Sequence, residues 1–218
     1  VEDAVRSRLE ALCEAGRRLH GAGLLAAADG NLSLRLPDGR IALSPSGVAK
    51  ARLCPEDLAL LAPDGRVLSG CPSSEWALHL EVYSRCPEAQ AVVHAHPPVA
   101  VAWTLARPQW GELPCEGLPE AILAAGRIPV APYALPGSPE LAASVRPLLP
   151  AHRLILLARH GGLAWGEDLE EACGGMERLE HLAVILKAAW ELGGAVPLPE
   201  EERARLRARR EALGPRLR

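Results

Sequence analysis

The chain has 218 residues, 49% of them hydrophobic and 23% charged, ordinary globular values that exclude disordered, collagen-like and coiled-coil classes. Lys and Arg number 24 against 27 Asp and Glu, a net charge of -3. That gives no electrostatic case for nucleic acid or an anionic membrane, so any anion the chain binds must be held by a local site.

Phenylalanine is absent, Tyr83 and Tyr133 are the two tyrosines, and Lys50 and Lys187 are the two lysines, so the core falls to Leu, Val and Ala. The six cysteines are scattered without a C-x-x-C pair, and no apolar run approaches the ~18 residues of a membrane span. Reduced thiols and a cytoplasmic location are the expectations.

In chain order, Val5, Leu9, Leu12 and Leu19 recur at helical spacing behind Asp3 and stop at Gly21-Ala22-Gly23, predicting an opening amphipathic helix. The period then changes: Asn31–Leu36 alternates, Pro37-Asp38-Gly39-Arg40 is a turn signal, and Ile41–Ser44 follows, predicting a β-hairpin. A second Pro-Asp-Gly-Arg at 63–66 repeats the pattern. Serines cap a helix expected over 74–85, and residues 89–96 read as a buried strand stopped by Pro97-Pro98. A short helix after Pro98, a strand over 128–133, a helix near 138–149 and a strand over 153–159 follow. Residues 168–192 form the longest helical pattern, with Gly174-Gly175 a candidate bend. The charged segment from Pro199 to Leu213 is expected to be a solvated helix or an oligomer contact. Nothing resembles a linker, so residues 1–218 are read as a single domain of mixed strands and helices.

His94 and His96 stand at i and i+2 of the strand, on one face and about 7 Å apart along it, a separation that lets two side chains converge on one ion. His160 ends a later strand before Gly161-Gly162. Three imidazoles with one open position are the pattern of a catalytic zinc site, although a histidine pair alone is equally two polar residues at a strand end. His20, His79 and His181 fall in helices and His152 in a turn, where surface or packing roles are expected. Glu75 follows Ser73 and Ser74 at a helix start, where N–H groups and the helix dipole favour an anion and where an ordinary cap would look the same. Gly30-Asn31 and Ser46-Gly47 sit in small-residue loops that suit anion nests and common turns alike.

Taken together and in order, GNLSLRL, SPSG, PSSEWALHLEVYSRCPEAQAVVHAHP and RHGGLAWGEDLEEA resemble the class II aldolase/adducin family over about residues 5–195, closest to its L-fuculose-1-phosphate aldolase branch. The resemblance implies a three-layer α/β/α fold with a central mixed sheet, in a homotetramer with active sites near subunit interfaces. It implies one Zn2+ per subunit on His94, His96 and His160, with cobalt, manganese or iron also accepted by such a set. Glu75 is implied as the catalytic acid/base, and Gly30, Asn31, Ser46, Gly47, Ser73 and Ser74 as the hold on a substrate phosphate. The implied activity is cleavage of a ketose 1-phosphate, such as L-fuculose 1-phosphate, into dihydroxyacetone phosphate and an aldehyde such as L-lactaldehyde. Relatives on the same scaffold epimerise pentulose phosphates, dehydrate methylthioribulose 1-phosphate, or serve as a non-catalytic interaction domain like the adducin head. Two positions depart from the branch: Leu118 and Leu213 stand where it carries tyrosines that assist the aldehyde end of the reaction.

Overall fold

The computed structural model describes residues 2–217. Eight strands form one sheet, β1 (Asn31–Arg35), β2 (Ile41–Leu43), β3 (Ala59–Leu61), β4 (Val67–Ser69), β5 (Ala91–Ala95), β6 (Val130–Ala131), β7 (Leu154–Leu157) and β8 (Gly161–Gly166), in the order β4-β3-β2-β1-β5-β8-β7-β6. Every pairing is antiparallel except β6 with β7. The helices are α1 (Glu2–Gly21), α2 (Trp76–Arg85), α3 (Pro98–Ala106), α4 (Pro139–Val145), α5 (Leu169–Glu191) and α6 (Glu200–Leu213).

Strand alternation builds three layers. Leu32 and Leu34 of β1, with Ala91, Val93 and Ala95 of β5, bury into a core shared with α1, α3 and α5. Val92 of β5 and Leu163 and Trp165 of β8 bury on the other side among Leu78 and Val82 of α2 and Leu141 and Val145 of α4. A central strand covered on both faces must satisfy two cores, so β5 shows a continuous buried run. Each fully buried Leu or Val contributes ~1.5–3 kcal/mol relative to exposure. No helix among the described residues is long and apolar enough to cross a membrane, and all six cysteines are unpaired.

Both Pro-Asp-Gly-Arg segments turn hairpins as expected. Gly39 and Gly65 take φ 86° and 89°, a conformation open to glycine at no steric cost, and Asp38 and Asp64 accept from the N–H two residues on. At the end of α1, Leu24 N–H donates to Leu19 O and Gly23 N–H to His20 O, a double closure of the last turn.

Several expectations are corrected. The strand expected over 128–133 is only Val130–Ala131, because Pro129 and Pro132 have no N–H to give a ladder. The helix near 138–149 ends at Val145 and gives way to a short turn, Arg146–Leu148, around Pro147. α5 runs unbroken through Gly174-Gly175. The larger miss is β8: no strand is expected over 161–166, yet Gly161-Gly162 opens a buried one between β5 and β7. The charged segment after Pro199 is helical and exposed, and Arg207 of α6 pairs with Glu116 at 3.0 Å.

Glycines show where the fold is tight and where it is loose. A Cβ on Gly161 would collide with the carbonyl of Ala95 and lie 2.8 Å from both His94 Cε1 and His96 Cδ2. A Cβ on Gly174 would meet nothing within 4 Å. Gly161→Ala is therefore expected to lose about 1–3 kcal/mol by overpacking, and Gly174→Ala to gain about 1 kcal/mol from helix propensity. Urea denaturation of the two variants checks both signs.

Candidate metal centre and acid/base site

His94 and His96 share the parity of Val92, so they leave β5 toward the α2 layer rather than toward α5. His160 reaches them from the tight turn between β7 and β8. There Arg159 adopts a left-handed φ of 60° and donates its N–H to Thr104 Oγ1, while His160 N–H donates to Leu157 O. Ring centroids lie 4.9 Å apart for His94 and His96, 4.6 Å for His94 and His160, and 5.1 Å for His96 and His160. One ligand nitrogen from each comes within 4.8 Å of the others.

The donor set fits a divalent cation. His94 is fully buried and its Nδ1–H donates to Gly162 O at 2.9 Å, which turns Nε2 toward the other rings. Burial, followed by the charge of His94, pushes His96 and His160 down to about 4. Both are neutral near pH 7, the form that ligates a metal.

Glu75 stands immediately before α2. Its Oε2 lies 3.2 Å from His94 Nε2 and its Oε1 3.3 Å from His160 Nε2. Burial raises its proton affinity, but the hydrogen bond and charge of His94, with Asn31 and His160, outweigh that and hold the carboxyl well below the usual carboxylate range. Oε2 also accepts from Asn31 Nδ2 at 2.9 Å, whereas Oε1 is buried with no hydrogen-bond partner. One oxygen is thus fixed and the other is left to interact with a reacting group.

The expected phosphate residues come together in three adjoining loops. Ser73 N–H donates to Ser44 O, and Ser74 N–H to Ser46 Oγ at 3.1 Å. Gly30, at φ 66°, runs so close to β5 that a Cβ would stand 2.7 Å from His94 O. Asn31 and Ser73 are buried beside Glu75, while Ser46, Gly47 and Ser74 are less buried above them. The serine cap expected for α2 is not formed: the helix begins at Trp76 with Glu75 as its N-cap residue and no side chain capping it, and Ser73 Oγ instead accepts from Glu75 N–H. Both amide hydrogens of Asn31 are engaged, one by Glu75 and one by Ser73 Oγ at 3.0 Å.

Two residues of this region were not singled out by the sequence. His79, expected to have a surface or packing role, is buried and hydrogen-bonded to Asn31 Oδ1 at 2.5 Å and Ser33 Oγ at 2.7 Å. The signal was a polar residue on the buried stripe of α2, opposite polar residues in β1. Lys50 is also buried, donating from Nζ to Ala28 O at 2.7 Å and Val48 O at 3.1 Å. It ties together the loops that carry Gly30 and Gly47. Burial lowers its proton affinity, opposed by the charges of Asp29 and Glu75. His20, His152 and His181 lie outside the cluster, on α1, in the turn before β7 and on α5.

Residues 10–186 match the family described as the Class II Aldolase and Adducin N-terminal domain. The 3-oxo-tetronate 4-phosphate decarboxylase of Escherichia coli strain K12 is 36% identical over 163 residues, covering 72% of this chain and 75% of that protein. The methylthioribulose-1-phosphate dehydratase of Methylococcus capsulatus is 38% identical over 188 residues, covering 81% and 91%. Among solved structures, YgbL of Escherichia coli, described between aldolase, epimerase and decarboxylase, superposes with a TM-score of 0.85 at 32% identity over 93% of this chain and 98% of that one. The L-fuculose-1-phosphate aldolase of Thermus thermophilus gives 0.77 at 37% identity over 89% and 100%. The likeness is thus spread over several activities rather than confined to the fuculose branch. Three layers around a mixed sheet, a cluster of three histidines and this match together place the chain in the class II aldolase/adducin family.

Proposed function

We propose that the chain is a divalent-metal-dependent lyase of short phosphorylated sugar acids, and that its reaction is decarboxylation of a 3-oxo acid phosphate. The carrying observation is the carboxyl group of Glu75, set against two of the three imidazoles, while Asp29 lies 3.8 Å from the third and neither of the chain's phenols hydrogen-bonds to them. Tyr83 is buried with its hydroxyl 2.9 Å from Ser33 Oγ, and Tyr133 is 59% exposed. Leu118 and Leu213 occupy the positions where the aldolase branch carries its assisting tyrosines.

Loss of carbon dioxide suits that inventory. When the bond between the carboxylate carbon and its neighbour breaks, its electron pair moves toward the adjacent ketone and the departing fragment needs no proton. One proton must then be delivered to carbon, and in this reading it passes through Glu75 Oε1. Binding of an anionic substrate raises the proton affinity of the carboxyl, so the group that rests ionised can be loaded when it is needed. Zinc on His94, His96 and His160 would supply Lewis acidity toward the substrate's carbonyl oxygen.

Gly30, Ser46, Gly47, Ser73 and Ser74 are proposed to hold the phosphate, and Asn31 is assigned first to Glu75 because its amide hydrogens are already engaged. The homotetramer with sites near subunit interfaces is carried forward from the family alone. A second reading, aldol cleavage of a ketose 1-phosphate, is favoured by the likeness to the Thermus thermophilus enzyme. It requires a second proton-handling group at the aldehyde end, the position the two leucines leave without one.

Incubating the zinc-loaded protein with a four-carbon 3-oxo acid phosphate and a panel of ketose 1-phosphates, with mass analysis, separates the readings. Carbon dioxide and a three-carbon ketose phosphate are expected. Two carbon fragments from a ketose phosphate would favour aldol cleavage, and loss of water would favour dehydration. Glu75→Gln is expected to keep its metal while turnover falls about 10²–10⁴-fold. His96→Ala is expected to lose the metal itself, read by elemental analysis of the purified protein.

A further inference from the structure

Behind Glu75 runs a chain of buried hydrogen bonds with one end in the site and the other in the core. Tyr83 Oη lies 2.9 Å from Ser33 Oγ, Ser33 Oγ 2.7 Å from His79 Nδ1, His79 Nε2 2.5 Å from Asn31 Oδ1, and Asn31 Nδ2 2.9 Å from Glu75 Oε2. The layout follows from two periodicities. Asn31 and Ser33 share a face of β1, and His79 and Tyr83 share a face of α2 four residues apart.

The chemistry of the groups fixes the direction of every bond. A flipped amide would set Asn31 Oδ1 against the carboxylate Oε2, two acceptors with no proton between them, and would withdraw the donor from Ser73 Oγ. Asn31 therefore turns Nδ2 to Glu75 and Oδ1 to His79. A carbonyl oxygen only accepts, so His79 carries its proton on Nε2 and leaves Nδ1 as an acceptor. Ser33 O–H then donates to Nδ1, and Tyr83 O–H donates to Ser33 Oγ. A neutral imidazole of this tautomer gives every hydrogen along the chain a partner; an imidazolium would reverse Ser33, which would accept from Nδ1–H and donate to Tyr83 Oη, and the buried Tyr83 hydroxyl would lose the oxygen it donates to. Burial, followed by the charge of His94, pushes His79 down to about 3, consistent with that neutral form.

We propose that His79 is a positioning residue: held as the neutral Nε2–H tautomer, it locks the Asn31 amide so that Nδ2 pins Glu75 Oε2 and leaves Oε1 as the oxygen that handles the proton. Its catalytic consequence rests on the reading of Glu75 as the acid/base, whereas the tautomer and the amide orientation do not. Ser33 and Tyr83 support the lock from behind. Loss of such a supporting partner costs about 10–100-fold in activity in comparable sites.

The direct test is 15N NMR of the histidine-labelled, zinc-loaded wild-type protein, which distinguishes the two tautomers from the charged form without any substrate. The expected spectrum shows His79 with Nε2 protonated and Nδ1 bare across pH 5–8. An Nδ1–H tautomer or an imidazolium in that range overturns the proposal. Variants supply the functional arm: His79→Leu is expected to lower kcat about 10–100-fold with KM and zinc content near wild type. His79→Gln, whose amide can still donate to Asn31 Oδ1, is expected to recover much of that loss. If Leu and Gln were equally impaired, or if KM rather than kcat moved, positioning through Asn31 would be wrong. Should His79→Leu not fold, Tyr83→Phe, expected to keep the tautomer and lower kcat less than tenfold, gives the same comparison. Wild-type protein inactive on every sugar phosphate but showing the expected tautomer would overturn the functional reading and leave the lock standing.

Discussion

The site depends on one close approach, that of the β8 backbone to the two histidines of β5. At Gly161 there is no room for a Cβ beside Ala95, His94 and His96, and one residue later the carbonyl of Gly162 receives His94 Nδ1–H. The first contact lets the rings converge, and the second fixes which nitrogen faces the centre. His160 then arrives from the turn that precedes those glycines, so a single strand junction supplies a ligand, the space for two others and the orientation of one. The antiparallel pairing of β5 with β8, which sets Ala95 opposite Gly162 and His94 opposite Leu163, holds this arrangement in register.

Much of this was legible in the sequence because its periodicities are clean. The alternation of Asn31–Leu36, the two Pro-Asp-Gly-Arg turns and the i, i+2 spacing of His94 and His96 correspond to observed features. The joint order of motifs pointed to the family that the comparison shows. What escaped notice did so for physical reasons. Gly161-Gly162 looks like loop because glycine is poor strand material, yet its missing side chain is what permits the close packing there. His79 looks like a surface or packing residue because residue type alone does not reveal a hydrogen-bonded partner on a distant strand. The alternation of β1 predicts a hairpin and no more, whereas β1 lies inside the sheet and both its faces are covered.

The layer between α2 and the sheet serves two demands. Toward α4 it is an apolar core of Leu, Val and Ile, whereas toward the loops before β1 and α2 it becomes a polar seam of Asn31, Ser33, Ser73, Glu75 and His79. Buried polar groups are costly unless each finds a partner, and here nearly all do. The exceptions are informative: Glu75 Oε1 and His160 Nδ1 are among the few buried side-chain atoms with no hydrogen-bond partner, and both belong to the centre itself. Within the seam satisfied groups frame the site, and these two unsatisfied atoms lie where substrate and metal chemistry are proposed; the other such atoms, on Ser138, Arg153, Arg178 and Arg203, lie outside it.

The measurement that tests the central claim most directly is X-ray absorption at the zinc edge on protein titrated with one equivalent of the ion. The account predicts stoichiometric uptake with three imidazole nitrogens in the coordination shell at ~2.0–2.1 Å. Uptake well below one equivalent per chain, or a shell dominated by oxygen or sulfur, would contradict it.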